Sequence, residues 1–171
     1  IKKDTTVTVV KEAVGLGLYE PAFEYNNRQE FILATEKCIN YLNYTTQPQQ
    51  RIPTDLIVAM AGIESGWGTS RFATEGNNLF GIRTWDPKDK QMKPLDLPNA
   101  SFGVKSYETK CASVQHMMDL INKHPAYQDY RTLRESGETD PTVLVGTLSK
   151  WSENSSYVDL IRSTIIALQK D

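Results

Sequence analysis

Residues 53 to 67, PTDLIVAMAGIESGW, constrain the fold more than any other stretch of the chain. Pro53 suits a helix start, where a residue without an N–H loses nothing. Leu56, Met60, Ile63 and Trp67 then fall on one stripe, and Ile57, Ala61 and Glu64 on the adjacent one. The segment therefore reads as a mostly apolar helix with Glu64 at its C-terminal end. A surface charge is unwelcome there. The apolar run LIVAMAGI is far short of a membrane span, so a soluble domain is expected.

Helical spacing recurs along the chain. Phe31, Ile32, Thr35, Cys38, Ile39 and Leu42 predict a helix from Arg28 to Tyr44. Val114, Met117, Met118 and Ile121 predict another over Cys111 to Ile121, ending near His124 and Pro125. A short helix is expected at Tyr127 to Arg134. One more starts at Pro141 and continues through Val143, Leu144, Leu148 and Trp151, and the last spans Tyr157 to Gln169. Between Thr84 and Ser101 the character changes: WDPKDKQMKPLDLPNAS carries prolines, many charges and little period, as in a loop or small β lobe on the surface. Residues 1 to 27 show no clean period. TTVTVV suggests an extended piece, and Gly15, Gly17 and Pro21 interrupt the stretch after it, so this part reads as an arm packed on a domain covering 28 to 171. The expected fold class is α+β, mainly α, a helical domain with a small irregular or β lobe.

At 171 residues the chain is long enough for one domain with a real core. Its formal net charge of -2, from Lys+Arg 19 and Asp+Glu 21, has no basic stripe with it, which argues against nucleic acid as the main partner. The sequence begins at Ile1, without an initiator Met or a charged-then-apolar leader, as in a processed or trimmed protein, and compartment is not legible at this end. Cys38 and Cys111 have no metal-type spacing. Two buried free thiols are the plainer reading, and one disulfide joining two helices the other.

Glu64 lies in AGIESGWGTSRFATEGNNLFG, among small, aromatic and amide side chains. A carboxyl with an apolar face on one side and amides and rings on the other suits an acid catalyst acting on a sugar, because burial holds its proton near neutral pH while rings and amides grip the pyranose. A purely structural Glu64 would instead need a basic partner, and Arg71 or Arg83 is available. Gly62, Gly66 and Gly68 each cost a helix end roughly 1 kcal/mol relative to Ala, a pattern explained if a ligand or backbone approaches closely. Asn77 and Asn78, next to Gly76, fit either a turn or amides that bond acetamido and hydroxyl groups. Trp67 reads as core, Phe80 as core or platform, and Trp85, beside the polar lobe, as a sugar platform. His116 and His124 have no ligand-spaced neighbours and read as structural, His124 at a helix end where a cation suits the macrodipole. No metal or other cofactor is expected.

The strings GIESGWGTSRFATEGNNLFGI, FGVKSYETKCASVQHMMDLINKHPAYQDYR and WSENSSYVDLI together resemble the glucosaminidase family of peptidoglycan hydrolases, glycoside hydrolase family 73, in its Bax-like branch. The resemblance runs from about Ile52 to Ile166. It implies a lysozyme-like α+β fold, cleavage of the β-1,4 bond after N-acetylglucosamine in murein, and Glu64 as the catalytic acid. The family's YATDPxY-type segment corresponds here to WSENSSY, with Trp151 at the first Tyr, Asn154 at the Asp and Tyr157 at the second Tyr. Asn77, Asn78, Phe80, Trp85, Trp151 and Tyr157 are the substrate-binding candidates. A second carboxylate is implied on the β lobe, where Asp86, Asp89 and Asp96 lie with Glu108 just beyond; Asp96 and Glu108 are the leading candidates, with the substrate's 2-acetamido group as the alternative. The partner implied is the peptidoglycan glycan strand, met by a monomer in the periplasm or outside the cell. A lytic transglycosylase on the same fold and a non-catalytic wall-binding module are the competing readings.

Overall fold

The computed structural model describes residues 19–170. The expected extended piece around TTVTVV lies outside them. The helices are α1 (Arg28–Tyr44), α2 (Thr54–Ser65), α3 (Arg71–Gly76), α4 (Lys110–Lys123), α5 (Gln128–Glu135), α6 (Pro141–Leu144) and α7 (Tyr157–Gln169), and the strands are β1 (Arg83–Thr84), β2 (Gln91–Met92) and β3 (Gly103–Lys105).

Helix α2 is the axle of the domain. Leu56 to Ala61 are at most 1 % exposed, because α7, α1 and α6 cover its faces. Pro53 precedes its first turn, and Asp55 places a negative charge near the helix N-terminus, where the macrodipole favours it. It stops at Gly66, which takes the left-handed conformation at φ 58° and donates its N–H to the Gly62 carbonyl. Trp67 is also left-handed, at φ 56°. A side chain at Gly62 would run into the Trp67 ring, and one at Gly68 into the Tyr25 ring. The glycines thus admit the protein's own aromatic rings and a helix cap, a close approach of side chains where one of a ligand or backbone is expected. Trp67 packs against the core as expected, with the Arg28 guanidinium 3.7 Å over its ring.

Ahead of α1, Phe23 and Tyr25 meet Phe31 edge-on at 5.9 and 5.1 Å, and the Tyr25 hydroxyl donates to the Gly68 carbonyl at 2.6 Å. Asn27 caps α1 by accepting from the Glu30 N–H, while Glu30 accepts from Asn26 N–H at 2.7 Å. Cys38 on α1 and Cys111 on α4 form a disulfide, with Cα atoms 5.6 Å apart. This corrects the free-thiol reading. The bond closes a loop across 73 residues of separation, worth about 4 kcal/mol by chain-entropy reasoning.

The lobe is a three-stranded antiparallel sheet in the order β1-β3-β2, pairing Arg83 with Val104 and Gln91 with Lys105. Strands this short need other ties. Gln91 donates to the Asp86 and Asp89 carbonyls, and the Lys93 ammonium to those of Ala100 and Phe102, all at 3.0 Å. Helix α3 has no counterpart among the expected helices: its six residues carry no full apolar stripe, and Ser70 capping at one end with left-handed Asn77 at the other delimits it. The helix expected from Pro141 through Trp151 breaks after Leu144 into short 3-10 turns at Val145–Thr147 and Ser149–Trp151.

Candidate active site

Glu64 stands on the last turn of α2, half-buried, at the wall of a cleft of about 720 Å³ between the helical body and the β lobe. The end of a buried helix is where a carboxyl is hardest to ionise: water is scarce, and the exposed carbonyls carry partial negative charge. Burial pushes the Glu64 pKa from its ordinary value near 4.5 up to about 7, against a smaller opposing effect of the Tyr157 hydroxyl. That hydroxyl faces the carboxyl, yet it is buried without a fully formed hydrogen bond among the described residues. Tyr157 itself holds its proton far more tightly than a free phenol, through burial first and the Glu64 charge second.

No cation neutralises Glu64 among the described residues. Arg71 pairs with Glu75 at 3.1 Å, and Arg83 lies 3.7 Å from Glu153 and 4.2 Å over the Phe102 ring. The ion-pair reading of Glu64 therefore finds no partner.

Facing Glu64 is the 78–82 turn. Asn78 is 1 % exposed, and each of its polar atoms is engaged: Oδ1 accepts from the Phe80 and Ile82 N–H groups at 3.1 and 3.2 Å, and Nδ2 donates to the Ile82 and Lys105 carbonyls at 2.9 and 2.8 Å. The turn carries Gly81 at φ 65°, where an added Cβ would sit 3.2 Å from Glu64 Oε2. Gly81 thus leaves the carboxyl its space. Asn77 is engaged too, donating to the Tyr107 and Glu108 carbonyls and accepting from Lys110. Neither asparagine lines the cleft.

The other candidates divide. Phe80 lines the cleft but is 1 % exposed, with its ring edge-on to Trp151 at 6.4 Å. Trp151 also lines the cleft; its Nε1 donates to the Phe80 carbonyl at 3.3 Å and its ring lies 5.5 Å from that of Tyr127. Trp85 is 65 % exposed on the lobe side of the cleft, near the Phe102 ring. Of the carboxylates, Asp89 and Glu153 share the cleft with Glu64, whereas Asp86, Asp96 and Glu108 do not line it. Asp89 is held in place by the Thr84 hydroxyl at 2.6 Å and the Lys105 ammonium at 3.9 Å. Glu153 is a cleft residue that sequence reasoning missed, although it sits inside WSENSSY. His116 lines the cleft as well. His124 caps a 3-10 turn, its Nδ1 accepting from the Ala126 N–H at 3.0 Å. Among the described residues no cluster has the composition of a metal site.

A helical body with a small antiparallel lobe, and one glutamate at the helix end between them, defines a lysozyme-like glycosidase architecture. The sequence profile of the glucosaminidase family, described as mannosyl-glycoprotein endo-β-N-acetylglucosaminidase, matches residues 24–170, and the chain belongs to that family. Within the family it resembles protein bax of Escherichia coli (strain K12), with 36% identity over 83 residues, 48% of this chain. That match spans only 28% of the bax protein. The fold is similar to the catalytic domain of the autolysin Auto from Listeria monocytogenes (TM-score 0.65, 17% identity, 95% of this chain and 93% of that one). It is also similar to a chain of a type VI secretion system effector-immunity complex from Pseudomonas protegens (TM-score 0.57, 20% identity, 84% and 92%).

Proposed function

We propose that this protein is a peptidoglycan hydrolase that cleaves the β-1,4 bond after N-acetylglucosamine, with Glu64 as general acid. The observation that carries this reading is Glu64 itself: a carboxyl on the wall of a cleft with no cation against it among the described residues, and with a pKa of about 7 that leaves much of it protonated at neutral pH. Glu64 delivers its proton to the bridging oxygen as the bond to the anomeric carbon breaks, so that the leaving sugar departs as a neutral alcohol. Water then adds to the anomeric carbon, and its proton passes to a base.

Asp89 is the carboxylate best suited to that second role, since Thr84 and Lys105 fix it within the cleft. Glu153, with its side chain 91% exposed, is held only by a 3.7 Å pair with Arg83. Trp85 and Trp151 supply ring faces for sugars, and Asn77 and Asn78 act as the scaffold behind them. The Cys38–Cys111 disulfide suits an oxidising compartment, the periplasm or the cell exterior, where the murein lies. No helix among the described residues is long and apolar enough to cross a membrane, and we take the working form to be a monomer.

The test is digestion of purified murein by the parent and by Glu64→Gln. A reducing N-acetylglucosamine end identifies the hydrolase, and a 1,6-anhydro end the transglycosylase. Loss of the proton donor removes at least about 10²-fold of the rate. Turnover of the amide variant within a few fold of the parent refutes the assignment, and cleavage of an N-glycoprotein but not of murein refutes the substrate.

A further inference from the structure

Helix α4 turns one stripe toward the cleft, on which His116, Leu120 and His124 follow each other at intervals of four. His124, exposed at the helix C-cap, uses its Nδ1 to accept from the Ala126 N–H. His116 is half-buried: its Nδ1 lies 2.6 Å from the Tyr107 hydroxyl, and its Nε2 has no partner among the described residues, while the residue lines the cleft. Tyr107 is firmly placed, its N–H donating to the Gly76 carbonyl and its carbonyl accepting from Asn77.

The tautomer follows from the inventory of donors and acceptors. Burial, and then the Asp89 charge, push the Tyr107 pKa well up, so the hydroxyl keeps its proton. Burial, and then Lys105, lower the His116 pKa, with Asp119 and Asp89 opposing, so the imidazole is neutral near pH 7. The Tyr107 hydroxyl has no other acceptor among the described residues. It therefore donates to Nδ1, and the ring proton belongs on Nε2. The result is a neutral, oriented N–H donor on the cleft wall, with no acceptor capacity toward the cleft.

We propose that His116, set in this tautomer by Tyr107, is a substrate-binding residue that reads the N-acetyl carbonyl of a sugar in the cleft. The proposal rests on the glycan reading above. A fixed donor that cannot accept pairs best with a pure acceptor. On such a glycan the strongest of these is the amide oxygen, because hydroxyls both give and take and the ring and bridging ether oxygens accept only weakly. A group that selects for the acetamido function discriminates against de-N-acetylated glycan, where an ammonium replaces it and presents only donors.

The experiment uses ¹⁵N-histidine NMR on Glu64→Gln, which does not turn over, with a β-1,4-linked N-acetylglucosamine tetramer as probe. Expected are the Nε2–H tautomer in the free protein and a shift of the Nε2 resonance on titration. In parallel, the activity of parent, His116→Ala and His116→Gln is compared on N-acetylated and de-N-acetylated murein. His116→Ala should lower the preference for the acetylated substrate roughly tenfold, the worth of one neutral hydrogen bond, and His116→Gln, which keeps an N–H, should restore part of it. An Nδ1–H tautomer, an unmoved Nε2 signal in the presence of bound tetramer, or an unchanged preference in His116→Ala each overturns the proposal. Failure of the tetramer to shift any cleft resonance, together with inactivity on murein, overturns the glycan reading and this proposal with it. The tautomer of the free protein, measured without ligand, tells the two failures apart.

Discussion

Replacing Glu64 by Gln should make the protein more stable as it makes it inactive, and the gain should depend on pH in a defined direction. In the unfolded chain the carboxyl loses its proton near 4.5, and in the fold it holds it until about 7. Between these values the folded state binds more protons than the unfolded state, so stability falls as pH rises through that window. Below about 4.5 both states are protonated and the handicap is absent; above about 7 it is fully present. The gap of about 2.5 pH units between these values, at 1.36 kcal/mol per unit, amounts to about 3 kcal/mol. Gln is isosteric and uncharged, so it resembles the protonated acid and escapes the handicap. Thermal unfolding at pH 4 and pH 8 measures the effect. The variant should match the parent at pH 4 and exceed it at pH 8, by about 6 to 12 °C for a chain of this size. A difference that does not change with pH, or a variant less stable than the parent at pH 8, refutes the argument that burial without a counter-ion sets the state of Glu64.

Activity on murein should fall on the alkaline side near pH 7 as Glu64 loses its proton, and a descending limb displaced by more than about two pH units would show that another group controls it. Asp89→Asn should slow cleavage by about 10²-fold, while Asp96→Asn and Glu108→Gln should leave it near the parent rate; the reverse order, read from the same murein assay, removes Asp89 from the second role. Asn78→Ala strips partners from the Phe80, Ile82 and Lys105 backbones and should cost about 3 kcal/mol in urea unfolding. A loss below about 1 kcal/mol would mean that the turn is held by other means. The paired variant Cys38→Ser/Cys111→Ser should lose up to about 4 kcal/mol, and an unchanged midpoint would argue against the closed loop as a source of stability.

The long helices are legible in the sequence because their signals are local. Phe31, Cys38, Ile39 and Leu42 repeat at helical spacing, and Ile161 and Ile165 do the same in α7; the expected bounds of both helices agree with those observed. What sequence does not reveal depends on pairings distant along the chain. The Cys38–Cys111 bond requires α1 and α4 to be neighbours, which no spacing states. Asp89 differs from Asp86 and Asp96 only in that Thr84 and Lys105 hold it at the cleft, a consequence of β1 and β3 pairing. The placement of His116 is hidden for the same reason: its partner Tyr107 precedes α4, and its exposure to the cleft arises only once the lobe is in place.

The two motifs that flank the site contain little chemistry of their own, and this explains their composition. In GIESGWG only Glu64 can transfer a proton; Gly62 admits the Trp67 ring, Gly66 ends the helix and Gly68 admits Tyr25. In NNLFG both amides hold backbone, Leu79 and Phe80 are buried, and Gly81 clears the space beside Glu64 Oε2. A carboxyl that must stay protonated near pH 7 has to be kept from both water and cations, yet remain open to a glycosidic oxygen on one side. A capped helix end buried among apolar helices provides the first condition. A rigid turn whose nearest residue has no side chain provides the second. Most residues of this pair therefore serve the placement of Glu64, and substitutions at Gly62 or Asn78 should act on that placement through the fold, whereas Glu64→Gln should leave it intact and remove the proton itself.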